Sequence, residues 1–345
     1  MKFTTKGLEP LFRKYGRYIE CRLCPHYCKI SEGRNGICGV RKNTGEEIEL
    51  TTYGIISGYS LDPVEKKPLY HFFPGHNILS LGSFGCNMRC DFCQNWNISQ
   101  QTTGNFSTKT DLNRILKDAS SSYKNIGLAF TYNEPIVWFE FMRDVAEKIK
   151  QEGLHTVMVS NGFVNSDPLN EITGFIDAFN IDLKAFNEEF YKRLTGAELG
   201  PVKESLKQIA AAGKHLEVTT LVIPGRNDSE QEMEVEAKWI ATELGFETPL
   251  HLSRYFPMYK RDDPATPQAT LTTLFDIASK YLKNVYMGNT SSTTGQDTMC
   301  SNCGTTVTKR SGYNTKLMNL DSEGRCSHCG NQVYPYFIFP SREGH

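Results

Sequence analysis

Three closely spaced cysteines are the residues of this chain with the clearest capacity for chemistry. Cys86, Cys90 and Cys93 lie in the string GCNMRCDFCQN with the spacing C-x-x-x-C-x-x-C, directly after the apolar run 78–81. Iron–sulfur clusters are normally held by one cysteine thiolate per iron, so three thiolates on a four-iron cluster leave one iron open to a further ligand. An open coordination position is typical of a catalytic metal site rather than a structural one.

A zinc knuckle or a set of buried thiols is the alternative explanation of the triplet. Zinc ligands usually come in C-x-x-C pairs, which this spacing does not supply. Gly82 and Gly85 also precede the first cysteine, and glycine lets a backbone bend closely around an inorganic core. The pattern therefore favours a cluster with an open iron.

Composition and charge narrow the classes of partner. The chain has 345 residues, with 38 Lys plus Arg against 39 Asp plus Glu, a net charge of -1. No basic field for nucleic acid is evident, so nucleic acid is not an expected partner. We find neither a signal-peptide core at the start nor an apolar run of about 18–20 residues, so the sequence predicts a cytoplasmic protein without a membrane partner.

All 11 cysteines fall into three groups with metal-like spacing. In a reducing cytosol such groups indicate metal ligands rather than disulfides. The first group is Cys21, Cys24, Cys28 and Cys38, the second is the triplet, and the third is Cys300, Cys303, Cys326 and Cys329.

The two flanking groups differ in how clearly they identify a metal. The N-terminal spacing does not match a zinc finger, and structural zinc and an auxiliary iron–sulfur or mononuclear iron site both stay open. If this site is redox active, we expect it to relay an electron to the catalytic cluster; His26 within it is predicted to be a surface turn residue. The C-terminal group is two glycine-closed C-x-x-C pairs, which predict a zinc ribbon that serves folding or docking.

Between the flanking groups, short apolar runs alternate with helical stretches, which predicts βα units around a parallel sheet. The predicted strands cover residues 78–81, 126–131, 156–160, 178–183, 216–223 and 250–253, and the predicted helices cover 110–121, 136–151, 201–212 and 229–244. Ser229 and Glu232 predict a capping box at the last helix. We therefore expect an α/β fold, a partial (βα)6 TIM-like barrel over residues 63–292, with an N-terminal four-cysteine metal-binding segment (1–62) and a C-terminal zinc-ribbon-like domain (293–345).

Polar side chains follow the predicted strands at their carboxyl ends, where parallel βα barrels build active sites. In strand order from the second, these are Asn133 with Glu134, Ser160 with Asn161, Asp182 with Lys184, the turn after Ile223, and His251. Each has an ordinary structural explanation, such as a helix start, an ion pair, a turn or a hydrogen-bonded core histidine. All of them follow the cysteine triplet in the sequence, each at the end of a successive predicted strand, and this joint arrangement favours one cofactor site.

The motifs GCNMRCDFCQN, TYNEP, SNGFV, NIDLKAF and LVIPG resemble those of the radical S-adenosylmethionine (SAM) enzymes of the pyruvate formate-lyase activase class. With DPVEKKPLYHFFPG and the flanking cysteines, the whole chain is similar to the radical SAM branch of the AmmeMemoRadiSam system.

The resemblance implies a cofactor for each part of the predicted site. Cys86, Cys90 and Cys93 would ligate a 4Fe-4S cluster whose open iron binds SAM. Near SAM, the resemblance implies Glu134 and Asn133 at the amino group, Lys184 and Asp182 at the carboxylate or ribose, and Ile223 and Phe92 at the adenine, with the Ser160–Asn161 turn completing the site.

Three functions follow as hypotheses. The first is a radical SAM enzyme that abstracts a hydrogen atom from a glycine of a partner protein, with flavodoxin or ferredoxin as the electron donor. The second directs the same radical at a small molecule. The third is an interaction protein stabilised by metals and without catalysis, which the intact triplet argues against.

Overall fold

One sheet of eight strands organises the protein, whose computed structural model describes residues 11–102 and 108–337. Its strands are β7 (Gly58–Pro63), β8 (Asn77–Gly82), β10 (Asn125–Phe130), β11 (His155–Ser160), β12 (Ala178–Asp182), β13 (His215–Val222), β14 (Leu250–Arg254) and β15 (Val285–Gly288). The order across the sheet is β15-β14-β13-β12-β11-β10-β8-β7. All neighbours are parallel except β7, which pairs antiparallel with β8.

The predicted α/β fold with a parallel sheet is confirmed, and all six predicted strands are present. Two further strands, β7 and β15, escaped the sequence pattern. β7 lies at the sheet edge and is mostly part-exposed, so it lacks a continuous apolar run, and β15 has only four residues. The expected domain boundary at 62/63 falls inside β7.

Helices connect the strands. They are α1 (Trp96–Ser99), α2 (Leu112–Ser121), α3 (Phe139–Gln151), α4 (Ser166–Phe175), α5 (Glu188–Phe190), α6 (Leu199–Ala211), α7 (Glu230–Ile240) and α8 (Gln268–Ala278). A 3-10 turn, Pro135–Trp138, precedes α3, and π turns, Tyr191–Thr195 and Ala241–Gly245, follow α5 and α7. None of the helices in the described part of the chain has the length and apolar character needed to cross a membrane.

One of the two hydrogen bonds of the predicted capping box on α7 is present, and the other is not. The hydroxyl of Ser229 accepts the backbone N–H of Glu232 at 3.1 Å, as a cap should. The carboxylate of Glu232 does not return to Ser229. It accepts instead from the N–H of Phe186 at 2.8 Å and the side-chain amide of Asn187 at 2.9 Å, because the loop after β12 brings these donors to it.

Buried polar side chains lie on the inner face of the sheet, and the chain between β7 and β8 covers them. Glu217 on β13 is fully buried and accepts from Nε2 of His251 at 2.7 Å. It also accepts from the backbone N–H groups of Tyr70 at 3.0 Å and His71 at 2.8 Å. A buried carboxylate needs such partners, so Glu217 fixes the path of the segment around Tyr70.

The N-terminal segment is a set of short strands anchored to the barrel by one buried ion pair. The strands are β1 (Phe12–Tyr15), β2 (Tyr18–Cys21), β3 (Lys29–Ser31), β4 (Arg41–Asn43), β5 (Ile48–Leu50) and β6 (Ile55–Ile56), the last paired with β9 (Thr108–Lys109). Arg41 donates two hydrogen bonds to Glu140 of α3, at 2.6 and 2.5 Å. Both side chains are almost completely excluded from solvent.

The C-terminal segment contains β16 (Thr298–Met299), β17 (Thr306–Ser311) and β18 (Asn314–Leu317). It packs against the chain between β7 and β8, which contains Tyr70. The guanidinium of Arg310 donates to the carbonyl of Tyr70 at 2.9 Å and to the hydroxyl of Thr298 at 2.7 Å. It also lies over the Tyr70 ring, 4.2 Å from its centre. The C-terminal segment therefore contacts the backbone of Tyr70, the same residue that Glu217 binds from the interior of the barrel.

Replacing Arg41 by alanine should lower the free energy of unfolding by about 3–5 kcal/mol, because it leaves the Glu140 carboxylate buried without its partner. The matched control is Arg143→Ala, which removes a half-exposed pair with Glu171 and should cost about 0–1 kcal/mol. Urea unfolding followed by intrinsic tryptophan fluorescence measures both. Equal losses in the two variants would contradict the anchoring role.

Candidate active site

A cavity of about 850 Å³ lies at the carboxyl ends of the barrel strands. The triplet Cys86, Cys90 and Cys93 lines it, together with Phe92, Asn133, Glu134, Ser160, Asn161, Asp182 and Lys184. Ten of the eleven residues predicted for the catalytic and cofactor site thus surround one space. Its volume lies in the range that holds a small-molecule cofactor together with a substrate group.

Ile223 is the predicted site residue that does not line this cavity. It is buried, and its N–H donates to the side-chain oxygen of Asn227 at 2.7 Å. The cavity wall on the same strand end is formed by Leu221, two residues earlier. Residues two apart in a strand point to the same face, so Leu221 and Ile223 differ in position along the chain: Leu221 lies within β13, whereas Ile223 follows the last residue of that strand. A contact between Ile223 and adenine stays a prediction.

The loop carrying the cysteines is shaped by Gly85 and Asn133. Gly85 has a φ of +83°, and a Cβ there would lie 2.6 Å from the carbonyl oxygen of Cys38, so only glycine fits. The amide of Asn133 accepts from the N–H of Ser83 at 2.9 Å and donates to the carbonyls of Phe84 at 3.2 Å and Gly85 at 3.0 Å. Asn133 therefore positions the cysteine loop through its backbone.

The thiols of the triplet are set for a cluster rather than for a single ion. Within the described residues, the triplet does not form a group of sulfur atoms that all lie within 4.8 Å of one another. Four thiolates on one zinc ion, with Zn–S near 2.3 Å, would be about 3.8 Å apart. A wider arrangement around a cavity suits one thiolate per iron, and the lining found in the described residues holds no fourth cysteine.

Burial favours the neutral form of the Cys86 and Cys90 thiols. It raises the pKa of Cys90 to about 12 and that of Cys86 well above its ordinary value. The sulfur of Cys86 already accepts the N–H of Met88 at 3.3 Å and the amide of Asn161 at 3.6 Å. The positive charge of an iron core would complete the stabilisation of the thiolates. The residues present thus fit an iron–sulfur cluster.

Glu134 forms a buried acceptor group with the next strand end. Its carboxylate accepts from the hydroxyl of Ser160 and from the N–H of Asn161, both at 2.8 Å, and from the N–H of Ile136 at 3.0 Å. Burial raises the pKa of Glu134 to about 7, although these donors act in the opposite direction. The carboxylate is thus held in place and suited to gain a cationic partner from within the cavity.

Asp182 and Lys184 present opposite charges beside the same cavity, with 2.9 Å between their carboxylate oxygen and Nζ. Burial acts to lower the pKa of Lys184, but the Asp182 carboxylate outweighs it and holds that pKa above its ordinary value. Lys184 therefore stays cationic at neutral pH. An ion pair of this kind can exchange partners with a zwitterionic ligand.

A second polar wall, which sequence reasoning missed, lies between the barrel edge and the C-terminal segment. Asp62 accepts from Nζ of Lys66 at 2.8 Å, Nζ of Lys67 at 2.7 Å and the hydroxyl of Tyr132 at 2.7 Å. Lys66, Lys67 and Tyr132 line the cavity, as does Tyr313 from the turn between β17 and β18. The motif DPVEKKPLYHFFPG contains Asp62, Lys66 and Lys67. The sequence alone did not indicate that this motif lies next to Tyr132 of the TYNEP motif.

The four C-terminal thiols are arranged for one metal ion. Cys300 and Cys329 have sulfur atoms 3.6 Å apart, and Cys303 and Cys326 have theirs 3.7 Å apart. All four lie within 4.8 Å of one another. These separations match the edge of a tetrahedron around an ion with metal–sulfur distances near 2.3 Å, about 3.8 Å.

Comparison with known proteins agrees with this geometry. A family model described as "Radical SAM superfamily" matches residues 81–236, which include the cysteine triplet and four strand ends. Residues 81–236 thus form a domain of the radical SAM superfamily. The family binds an iron–sulfur cluster and SAM, which supports a SAM-cleaving role for the cavity.

The relatives differ in how much of this chain they share. An uncharacterised protein of Methanocaldococcus jannaschii, MJ0808, is 38% identical over 318 residues, 91% of this chain and 95% of that one. The pyruvate formate-lyase 1-activating enzyme of Escherichia coli is 31% identical over 154 residues, 42% of this chain and 61% of the enzyme. Streptococcus suis SuiB bound to S-adenosylmethionine shares the fold, with a TM-score of 0.50, 14% identity, and coverage of 66% of this chain and 54% of SuiB.

SAM affinity should fall about tenfold as the pH is lowered from about 8 to about 6, because the Glu134 carboxyl, with its pKa raised to about 7, becomes protonated and loses the negative charge that attracts the N–H groups of the SAM amino group. Glu134→Gln should bind more weakly at the higher pH and lose this pH dependence. Isothermal calorimetry on the anaerobically reconstituted protein measures both. An unchanged pH slope in Glu134→Gln would assign the titration to another group.

Proposed function

We propose that this protein cleaves SAM reductively and uses the resulting 5'-deoxyadenosyl radical to abstract a hydrogen atom from a substrate. The observation that carries the proposal is the set of three thiols, Cys86, Cys90 and Cys93, on the wall of a cavity large enough for SAM and a substrate group. When bound, the 4Fe-4S cluster supplies the electron for cleavage and an open iron for SAM.

The protein side chains bind and orient the substrate of that cleavage. Glu134 offers its carboxylate to the N–H groups of the SAM amino group, and Ser160 and Asn161 hold that carboxylate by hydrogen bonds at 2.8 Å. Asp182 and Lys184 offer one charge of each sign to the SAM carboxylate and ribose. Fixing both ends of SAM keeps its reactive sulfonium in one position, which is the principal contribution a protein makes to cofactor chemistry.

The first candidate for the hydrogen donor is a glycine of a partner protein. The named relatives that support it are the activating enzymes for pyruvate formate-lyase 1 and for benzylsuccinate synthase, the latter from Thauera aromatica and 27% identical over 135 residues. The shared part covers 61% and 41% of those enzymes. A one-electron donor of the flavodoxin or ferredoxin class would supply the electron, as the resemblance implies.

A small-molecule substrate is the second candidate, and the second polar wall of the cavity favours it. Lys67 is buried against Asp62, and Tyr313 from the C-terminal segment lines the same space. A cavity with charged and hydroxyl groups on a wall away from the predicted SAM contacts suits a polar metabolite. On this interpretation the C-terminal segment contributes to substrate recognition.

For the C-terminal thiols we propose zinc. Four cysteine ligands close the tetrahedron and leave no coordination position for catalysis, so the ion would stabilise the small C-terminal segment. That segment has only four buried apolar residues in its own cluster, two of which are Cys300 and Cys326. A core of this size needs a metal to hold it.

Reduced, anaerobically reconstituted protein should convert SAM to methionine and 5'-deoxyadenosine, and Cys90→Ala should lower this conversion to background because the cluster loses one of its three ligands. The matched control is Asp91→Ala in the same loop, whose side chain does not line the cavity, and it should retain cleavage. Liquid chromatography of the products measures the rates. Undiminished cleavage by Cys90→Ala would rule out the assigned cluster.

The origin of the abstracted hydrogen should be visible as deuterium in 5'-deoxyadenosine. A deuterated cell extract, separated by size into proteins and small molecules, is incubated with the enzyme and unlabelled SAM, and mass spectrometry reads the label. Label from the protein fraction supports a partner protein, and label from the small-molecule fraction supports a metabolite. Cleavage with no label from either fraction would contradict hydrogen abstraction from a cellular substrate.

A further inference from the structure

The N-terminal cysteine group forms a second candidate metal site beside the catalytic loop. Cys21, Cys24, Cys28 and Cys38 all line one small cavity of about 20 Å³. Much of the remaining lining is apolar, and it includes residues of the turn before α3. Four soft ligands around a shielded space are the donor set of an iron–sulfur cluster or a zinc ion.

Backbone and side-chain donors around this cavity support thiolates. The N–H of Ile37 donates to the sulfur of Cys28 at 3.5 Å, and backbone N–H groups also donate to the sulfurs of Cys21, Cys24 and Cys38. The guanidinium of Arg41, 1% exposed, lies on the same lining. Hydrogen bonds to sulfur and exclusion of solvent are features by which proteins tune iron–sulfur clusters.

The spacing of the sulfur atoms separates a cluster from a single ion. The C-terminal thiols, already close enough to share one ion, form the only group within 4.8 Å among the described residues, and the N-terminal thiols do not form such a group. They line instead one common space of about 20 Å³. A cluster, which gives each thiolate its own iron, fits this wider arrangement.

This second site lies directly against the catalytic loop. The carbonyl of Cys38 contacts Gly85, where a Cβ would come within 2.6 Å of it. Nε2 of His26 is 2.7 Å from the carbonyl oxygen of Asn87, the residue after the first cysteine of the triplet. His26 was predicted to be a surface turn residue; it is half-buried because it joins the two loops.

A continuous hydrogen-bonded path connects the two sets of thiols. The side chain of Asn87 lines the N-terminal cavity and hydrogen-bonds with the thiol of Cys24. The amide of Asn161 donates to the side-chain oxygen of Asn87 at 2.9 Å and approaches the sulfur of Cys86 at 3.6 Å. One residue, Asn87, thus contacts a ligand of the second site and a partner of the catalytic thiols.

We propose that the N-terminal cysteines hold a second iron–sulfur cluster, which transfers electrons to the catalytic cluster. One electron leaves the second cluster, which is oxidised, and reduces the catalytic cluster; a one-electron donor of the flavodoxin or ferredoxin class then restores the second cluster. The transfer rests on the proposed function, whereas the presence of the second cluster does not.

The test of the site uses the full-length chain with the triplet changed to alanine, C86A/C90A/C93A, reconstituted with iron and sulfide without oxygen. Iron and acid-labile sulfide should persist, at about half the wild-type iron if both clusters are of the four-iron type, and the reduced sample should give an iron–sulfur EPR signal. Zinc without iron in this variant would overturn the proposal. If it fails to fold, Mössbauer spectra of the wild-type protein decide by showing one cluster or two.

Two single variants distinguish the cysteine groups. Cys24→Ser in the wild-type background should lose iron and sulfide from the second cluster while the zinc content is unchanged. Cys303→Ser, the matched control in the C-terminal group, should lose zinc while the iron content is unchanged. Loss of zinc alone from Cys24→Ser would contradict the proposal.

The transfer is tested by the distance between the two clusters. In the reduced wild-type protein the EPR signals should be broadened by magnetic coupling, and the broadening should disappear in C86A/C90A/C93A. Two uncoupled signals would overturn the transfer. Equal iron contents in the wild-type protein and C86A/C90A/C93A would instead show that the triplet holds no iron, so the proposed function would fail while the second cluster remained.

Discussion

The candidate active site depends on how the cysteine loop is held, because three thiols must face one cavity while the loop itself is packed between two parts of the chain. Asn133 holds the loop from the barrel side through three backbone contacts. The N-terminal segment holds it from the other side, where Gly85 is in van der Waals contact with Cys38. The barrel and the N-terminal segment therefore both shape the loop that carries the candidate metal ligands.

Buried charge is the second constraint on this architecture. Arg41 and Glu140 join the N-terminal segment to the barrel. Glu217 accepts hydrogen bonds from His251 and from the backbone N–H of Tyr70, and so holds the chain between β7 and β8 against the barrel. Each of these carboxylates is satisfied by donors from a different part of the chain. Because an unpaired buried charge costs several kcal/mol, roughly 3–5, such pairs favour a single arrangement of the three segments.

Much of the fold and the site was accessible from the sequence, for reasons visible in particular residues. The six strands were predictable because parallel strands buried on both faces give continuous apolar runs, as in Asn125–Phe130. The site residues were predictable because parallel strands bring their carboxyl ends together. The edge strand Gly58–Pro63 and the burial of Ile223 outside the cavity were not predictable, since both depend on tertiary contacts.

The second polar wall and the contact between the two cysteine loops depend on residues far apart in the chain, such as Lys67 with Tyr132 and His26 with Asn87.

The central claim is that SAM binds directly to an iron of a cluster held by the triplet. Pulsed EPR on the reduced protein with SAM labelled by ¹⁵N at its amino group tests this claim most directly. We expect a hyperfine coupling between the labelled nitrogen and the cluster, and no coupling in a sample that binds SAM would contradict the account.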